Sequence, residues 1–381
     1  MSSVKSVNKH HPQVVIIGAG PGGLTLARLL SQQGMSCKVF EAEASPQSRV
    51  QGGMLDIHQA TGQEALKRAG LHQAFLDKVH AGGQAARIVD SDGKVLFAEE
   101  DDGSEVRPEI KRGDLRQLLL DALPTDTVQW GYKVEVVSRL ENNRHRVTFG
   151  NGDSVECELL VGADGAWSKV RKLLSDASPA YSGTMFIESF LLNCEQAHAQ
   201  TTVCVGSGAL YALQPFKGIT AHREPGNVLH GYIAIKKPLD WLEDKADDQP
   251  QLQAALLAEF DGWAEPLTAF IQHNDLPLVV RPIYALPDNH QWQHQAGITL
   301  LGDAAHLMVP SGEGVNLAMQ DAMLLATAIR QHPQALDEAL RQYESDMFVR
   351  NQVAYQDAEE IFRLCYGESA PHGLLAFFTQ S

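Results

Sequence analysis

The side chains in this chain with the clearest chemical use are glycines and acids placed where strands end. Gly18, Gly20 and Gly23 form G-x-G-x-x-G directly after the apolar run Val14 to Ile17. That spacing allows, in turn, a tight turn, close approach of backbone to a pyrophosphate, and close packing of helix on strand. The next helix would point its free N–H groups and positive dipole end at the phosphates. Glu41 closes the following apolar run, Cys37 to Phe40. An acid there accepts hydrogen bonds from an adenosine ribose and repels a 2′-phosphate. Two more acids stand beside glycine at strand ends: Asp164 in Ala163-Asp164-Gly165 and Asp303 in Gly302-Asp303. Gly312-x-Gly314 then opens a helix, so the backbone of Gly312, Glu313, Gly314, Val315 and Asn316 could meet negative charge. These residues suit a phosphate- and hydroxyl-rich dinucleotide. No Ser-His-Asp, Cys-His or metal-ligand spacing accompanies them, so a bound cofactor would carry the reaction.

The elements that position these residues follow from hydrophobic pattern. Val14 to Glu41 reads as strand, glycine turn, helix and strand, the opening of a parallel sheet. An amphipathic helix is expected from near Thr61, a hairpin around Ser91-Asp92-Gly93, and a helix over Lys111 to Leu123 that places Arg112 and Arg116 on one face. A β-meander follows, then a buried strand from Leu159, then a helix carrying Ser168, Lys169 and Arg171. Strands are expected near Phe186, Leu210 and His230, and helices between Trp241 and Asn274, with Pro277, Pro282 and Pro287 marking the return to the first sheet. The last helices are expected over Val315 to Arg330 and Gln334 to Leu364. The fold class is therefore α/β: a discontinuous Rossmann-like dinucleotide-binding domain (1–72, 106–176 and 281–332), a β-sheet substrate domain (73–105 and 177–280), and a C-terminal bracing helix (333–381).

Composition narrows the partners. A formal net charge of -16 argues against nucleic acid or anionic membrane, which need concentrated Lys and Arg. The five cysteines are scattered and odd in number, which fits a reducing compartment. No signal-like apolar run opens the chain, and no apolar stretch is long enough to span a bilayer. A cytoplasmic monomer acting on a small molecule is expected, with no metal.

The dinucleotide fingerprint, the Asp164-Gly165 motif and the Gly302-Asp303 motif, in this order, resemble those of the FAD-dependent aromatic hydroxylases, the class A flavin monooxygenases. Within that family the chain is most similar to the tetracycline-inactivating monooxygenases of the TetX type, over nearly its whole length and best in RVQGGMLDIHQATGQEALKRAGL, EIKRGDLR, GADGAWSKVRK and LLGDAAHLM. The resemblance implies bound FAD, with Glu41 on its adenosine ribose, Asp303 on its ribityl chain, and Asp56 and Arg112 in contact with it. It implies that Arg49 meets NADPH and that His230 meets substrate. With a single fingerprint, NADPH would be a transient visitor. Reduced FAD would react with O₂, and a C4a-hydroperoxyflavin would pass one oxygen to an electron-rich carbon of a phenolic or polycyclic molecule, tetracycline among the candidates. Met308, Val309 and Pro310 would form the flavin-side wall of a mostly apolar cavity. His58 and His306 read as packing or hydrogen-bonding residues rather than bases.

Two departures from the TetX pattern bear on substrate. The loop Pro310-Ser311-Gly312 is one residue shorter, and no glutamine stands among Val203, Cys204 and Val205. Other readings are a flavin halogenase, a disulfide oxidoreductase, or a flavin-bearing redox sensor without turnover. The chain has neither W-x-W nor paired redox cysteines.

Overall fold

The structure, a computed structural model, describes residues 13–48, 53–80, 84–101, 103 and 107–380. Arg49 and Gly52 lie outside the described residues. Five parallel strands form the first sheet in the order Ile298–Leu300, Leu159–Gly162, Val14–Ile17, Cys37–Glu41, Val128–Trp130. Its three strands nearest the fingerprint are apolar runs buried along their whole length, in one core with helix Pro21–Gln32 and with Val147 and Phe149. The helix Pro21–Gln32 buries Leu24, Leu26, Ala27 and Leu30, and its Gly22 lets Leu301 and Ala318 approach closely. Gly18, Asp164 and Asp303 thus lie together just beyond the carboxyl ends of neighbouring strands, where open α/β sheets bind ligands.

The meander Val134–Arg139, His145–Phe149, Ser154–Cys157 forms as expected. The helix expected after Asp164 does not. Bends lead instead to a single turn at Arg171–Leu173, because the Asp164 carboxylate accepts the N–H groups that a continuing helix would use.

The second sheet has seven strands, in the order Val279–Ala285, Ala180–Leu192, Val228–Lys236, Lys217–Glu224, Ala209–Gln214, Ala86–Val89, Val95–Glu99. Two boundaries shift from those expected. Val279–Ala285 continues this sheet through Pro282, which is tolerated because the strand is at an edge. The helix His72–Leu76 straddles the expected break at 72, and its Phe75 packs in the core of the first sheet.

Alternation along the strands divides the second sheet into two faces. Ile187, Ile219, Leu210 and Ile233 pack beneath helices Gln249–Glu259 and Glu265–Gln272. The opposite face carries Glu188, Phe190, His230, Tyr232, His222, Glu224 and Tyr211. It meets the small ribbon of Met54–Asp56 and Glu109–Lys111, where Lys111 Nζ donates to Pro225 O at 3.1 Å.

The long helix Leu336–Tyr366 ties the two sheets together. Near its start Tyr343 Oη donates to Leu300 O at 2.9 Å. Next to it the buried Glu344 accepts from Thr299, Trp292 and His294 at 2.8, 3.2 and 2.6 Å. At its far end Leu364 and Tyr366 pack with Ile88, Leu213 and Ala234 of the second sheet. A further helix, His372–Gln380, follows it.

Candidate active site

The fingerprint glycines do three different jobs. Gly18 has φ +107°, and a Cβ there would lie 2.2 Å from Ala163 O. A Cβ on Gly23 would lie 2.2 Å from Gly18 O, so helix and strand touch at that point. A Cβ on Gly20 would meet nothing within 4 Å. The protein leaves room there, and the following helix begins at Pro21. Glu41 is fixed by its own loop: one carboxylate oxygen accepts Ala19 N at 2.7 Å and the other Glu43 N at 3.0 Å. Beneath it lies Arg116, which the sequence marked only as sharing a face with Arg112. Its buried guanidinium donates to Ala19 O at 3.2 Å and to Glu43 at 2.8 Å, and lies 5.3 Å from the centre of the Trp130 ring.

Asp164 is committed locally. Ser168 Oγ donates to one oxygen at 2.6 Å and Lys169 N to the other at 2.7 Å. Burial pushes its carboxyl pKa up, against the effect of these bonds. The carboxylate shapes a turn that also carries Gly165, where a Cβ would meet nothing within 4 Å. Arg171, a residue without a sequence signal of its role, joins this turn to the next motif by donating to Ala166 O at 2.7 Å and Ala304 O at 3.0 Å.

Asp303 is reached by solvent yet surrounded by protein, as on the floor of a cleft. The surrounding protein raises its pKa, while His306, Arg112 and Arg171 act to lower it. A Cβ on Gly314 would be 3.9 Å from its carboxylate, so the acid and the glycine loop border the same space. His306 is buried and held by Asp321 at 2.6 Å; Asp321 also accepts Gly302 N at 3.0 Å and Arg350 at 2.9 Å. Arg112 is tied to the ribbon through its own N–H, which donates to Gly53 O at 3.0 Å.

Four side chains join the ribbon to the glycine loop. Asn316 is buried; its Oδ1 accepts His58 N and its Nδ2 donates to Asp56 O, each at 2.9 Å. His58 spans two carboxylates, with Nε2 2.8 Å from Asp56 and Nδ1 2.8 Å from Glu313. Burial alone would depress this imidazole, but the bonds to Asp56 and Glu313 outweigh it and raise its pKa to about 9. Arg107 adds a second cation on Asp56 at 2.8 Å. The Asp56 carboxyl is lowered despite burial, because His58 and Arg107 favour its charged form. A Cβ on Gly312 would stand 3.7 Å from Asp56 Oδ1. Met308 is partly buried and Pro310 exposed on the same loop, whereas Val309 turns inward.

His230 lies within the second sheet. Its side chain is 1% exposed, stacked on Phe190 at 4.2 Å and bonded through Nδ1 to Glu224 at 2.9 Å. Burial opposes its charge, yet Glu188 and Glu224 raise its pKa. Its Nε2 is buried without a hydrogen-bond partner, 3.7 Å from Glu188. It still borders the cleft, since a Cβ on Gly53 would come within 3.8 Å of its ring and 3.5 Å of Tyr232 Oη. The wall is also more polar than expected: beside His230 stand Glu188, Glu224, Tyr232 and His222, and Asp56 and Glu109 face them from the ribbon. These groups become neighbours only through cross-strand register.

Room for close approach at Gly20 and Gly165, the glycine loop at Gly312 and Gly314, and carboxylates at Glu41 and Asp303 fit FAD. Sequence comparison agrees. Residues 11–358 match the family described as "FAD binding domain", and the chain belongs to that family of flavin monooxygenases. It is an FAD-dependent monooxygenase. It is 29% identical to Monooxygenase penA of Penicillium thymicola, covering 97% of this chain and 96% of that one. Its fold is similar to that of Klebsiella pneumoniae HpxO complexed with FAD and uric acid, with TM-score 0.80 and 22% identity over 98% of this chain and 93% of that one. It is also similar to that of tetracycline destructase Tet(55), with TM-score 0.75 and 19% identity over 98% and 96%.

Proposed function

We propose that this protein uses NADPH and O₂ to hydroxylate a phenolic or polycyclic small molecule bound between the ribbon and the second sheet. The observation that carries the reading is the placement of Asp303 beside Gly314, of Gly312 beside Asp56 of the ribbon, and of Gly53 beside Tyr232 and His230 of the second sheet. FAD, when bound, supplies the redox chemistry and the activation of O₂. The protein's own groups bind and orient. Glu41 would receive the adenosine ribose, Gly20 and Gly165 would admit the pyrophosphate, and Asp303 and Arg112 would hold the ribityl region. Gly314, Val315 and Asn316 present the N-terminal turn of helix Gly314–Gln331 to negative charge on the ring system. NADPH is read as a transient partner and Arg49 as its contact. The protein is read as a cytoplasmic monomer; no helix among the described residues is long and apolar enough to cross a membrane.

The test is NADPH-dependent oxygen uptake with a panel of phenols, quinones and tetracyclines, followed by mass spectrometry. A gain of one oxygen in tetracycline would extend the fold-level likeness to Tet(55) into function. No gain, with turnover of another phenol, would remove the antibiotic and keep the class. No NADPH oxidation with any of them would favour a redox sensor. Arg49→Ala should raise the apparent KM for NADPH at unchanged FAD content.

A further inference from the structure

On the ribbon and second-sheet side of the cleft the carboxylates pair off, with one exception among the described residues. Asp56 is held by His58 and Arg107, Glu188 by Arg281 at 2.7 Å, and Glu224 by His230 at 2.9 Å. The carboxylate of Glu109 makes no hydrogen bond or ion pair among the described residues. Its position is well fixed. It pairs with Asp56 across the antiparallel ribbon, so the two side chains leave the same face, and its carbonyl accepts His80 N at 2.8 Å. Asp101, Glu224 and Tyr211 are its other electrostatic neighbours. The nearby cations are already engaged: Arg107 by Asp56 and Lys111 by Pro225 O. His80 is depressed by burial and by Lys111 and Arg223, which disfavour its charged form. Burial, then the charges of Asp56, Asp101 and Glu224, pushes the Glu109 pKa up to about 8. Two more unsatisfied atoms lie on the facing sheet, where Nδ1 of His222 and Nε2 of His230 are buried without hydrogen-bond partners.

We propose that Glu109 is a specificity-determining residue that receives a positively charged nitrogen of the substrate in this cleft. The inference rests on the cleft being the substrate site. An arriving cation would favour ionised Glu109 by offsetting the repulsion that its charge meets from Asp56, Asp101 and Glu224. An anion would meet the same field and lose its hydration as well.

The FAD-loaded protein is titrated with two phenols of one shape, 3-hydroxyphenyltrimethylammonium and 3-tert-butylphenol, and binding is followed by flavin absorbance at pH 7. The cation should bind at least about tenfold more tightly than its neutral twin. Below pH 8 its binding requires Glu109 to lose a proton, so its affinity should rise about tenfold from pH 6 to pH 7. Glu109→Gln should bind the two phenols within about threefold of each other and show no such rise, while Glu109→Asp retains part of both effects. FAD content and the affinity for 3-tert-butylphenol should be unchanged in either variant. If 3-tert-butylphenol perturbs the flavin and stimulates NADPH oxidation while the cation binds no better, the inference fails and the monooxygenase reading stands. If neither phenol alters the spectrum or NADPH oxidation, the substrate cleft is misassigned and the inference falls with it.

Discussion

Removing the Asp321 carboxylate should be among the most damaging single changes in this protein, although the residue lies outside every motif. Asp321→Ala strips acceptors from His306, Gly302 N and Arg350 at once. The His306 and Asp321 side chains are 5% and 2% exposed, so water cannot replace the lost partner. Breaking a buried pair in this way costs about 3–5 kcal/mol. Replacing both partners by apolar residues removes the stranded imidazole, although Gly302 N and Arg350 still lose their acceptor, so Asp321→Leu with His306→Leu should lose less than the sum of the single changes. Urea denaturation at pH 6 provides the measurement. The pH dependence has two limbs. Asp321 is lowered although burial opposes it, chiefly by His306, so its contribution is complete above the ordinary carboxylate value of 3.8 and fades as pH falls through its lowered value. His306 is raised although burial opposes it, chiefly by Asp321, so its contribution is complete below the ordinary imidazole value of 6.5 and fades as pH rises through its raised value. The gap between wild type and Asp321→Ala should therefore be widest from 3.8 to 6.5. A loss below about 1 kcal/mol at pH 6, or a double variant as unstable as the summed singles, would refute the reasoning.

Gly20→Ala should fold normally, because its Cβ meets nothing within 4 Å, yet lose FAD on gel filtration; retention of FAD would show that no ligand backbone approaches there. Gly23→Ala should instead lower thermal stability even without FAD, since its Cβ would lie 2.2 Å from Gly18 O, and an unchanged melting temperature would contradict that packing. Asp303→Ala should weaken FAD binding by about ten- to hundredfold through loss of a charge-assisted acceptor, checked by titration of the apoprotein. His58 supplies its tie between Asp56 and Glu313 fully below 6.5 and loses it as pH rises through about 9, so the stability difference between wild type and His58→Gln should shrink above pH 9 in a thermal-shift series.

The dinucleotide half of the fold was legible in the sequence because its determinants are local. Strand, glycines, helix and acid follow one another between Val14 and Glu41, and each residue type answers a constraint set by its chain neighbours. The strand ends at Asp164 and Asp303 could be read for the same reason. Tertiary structure decided the rest. Asn316 bonds Asp56 and His58 across about 260 residues of chain, and Arg171 bonds Ala304 across 133. Neither pairing leaves a periodic or compositional trace. His230 carried a family position, but whether its ring faced substrate or a carboxylate depended on Glu224 and Glu188 arriving on the same sheet face. Glu109 gained its place opposite Asp56 from ribbon register, and a shift of one residue would have turned it to the other face. Local sequence could set the backbone cradle because turns and caps involve near neighbours; charge pairing in the cleft waited on which strands came to lie side by side.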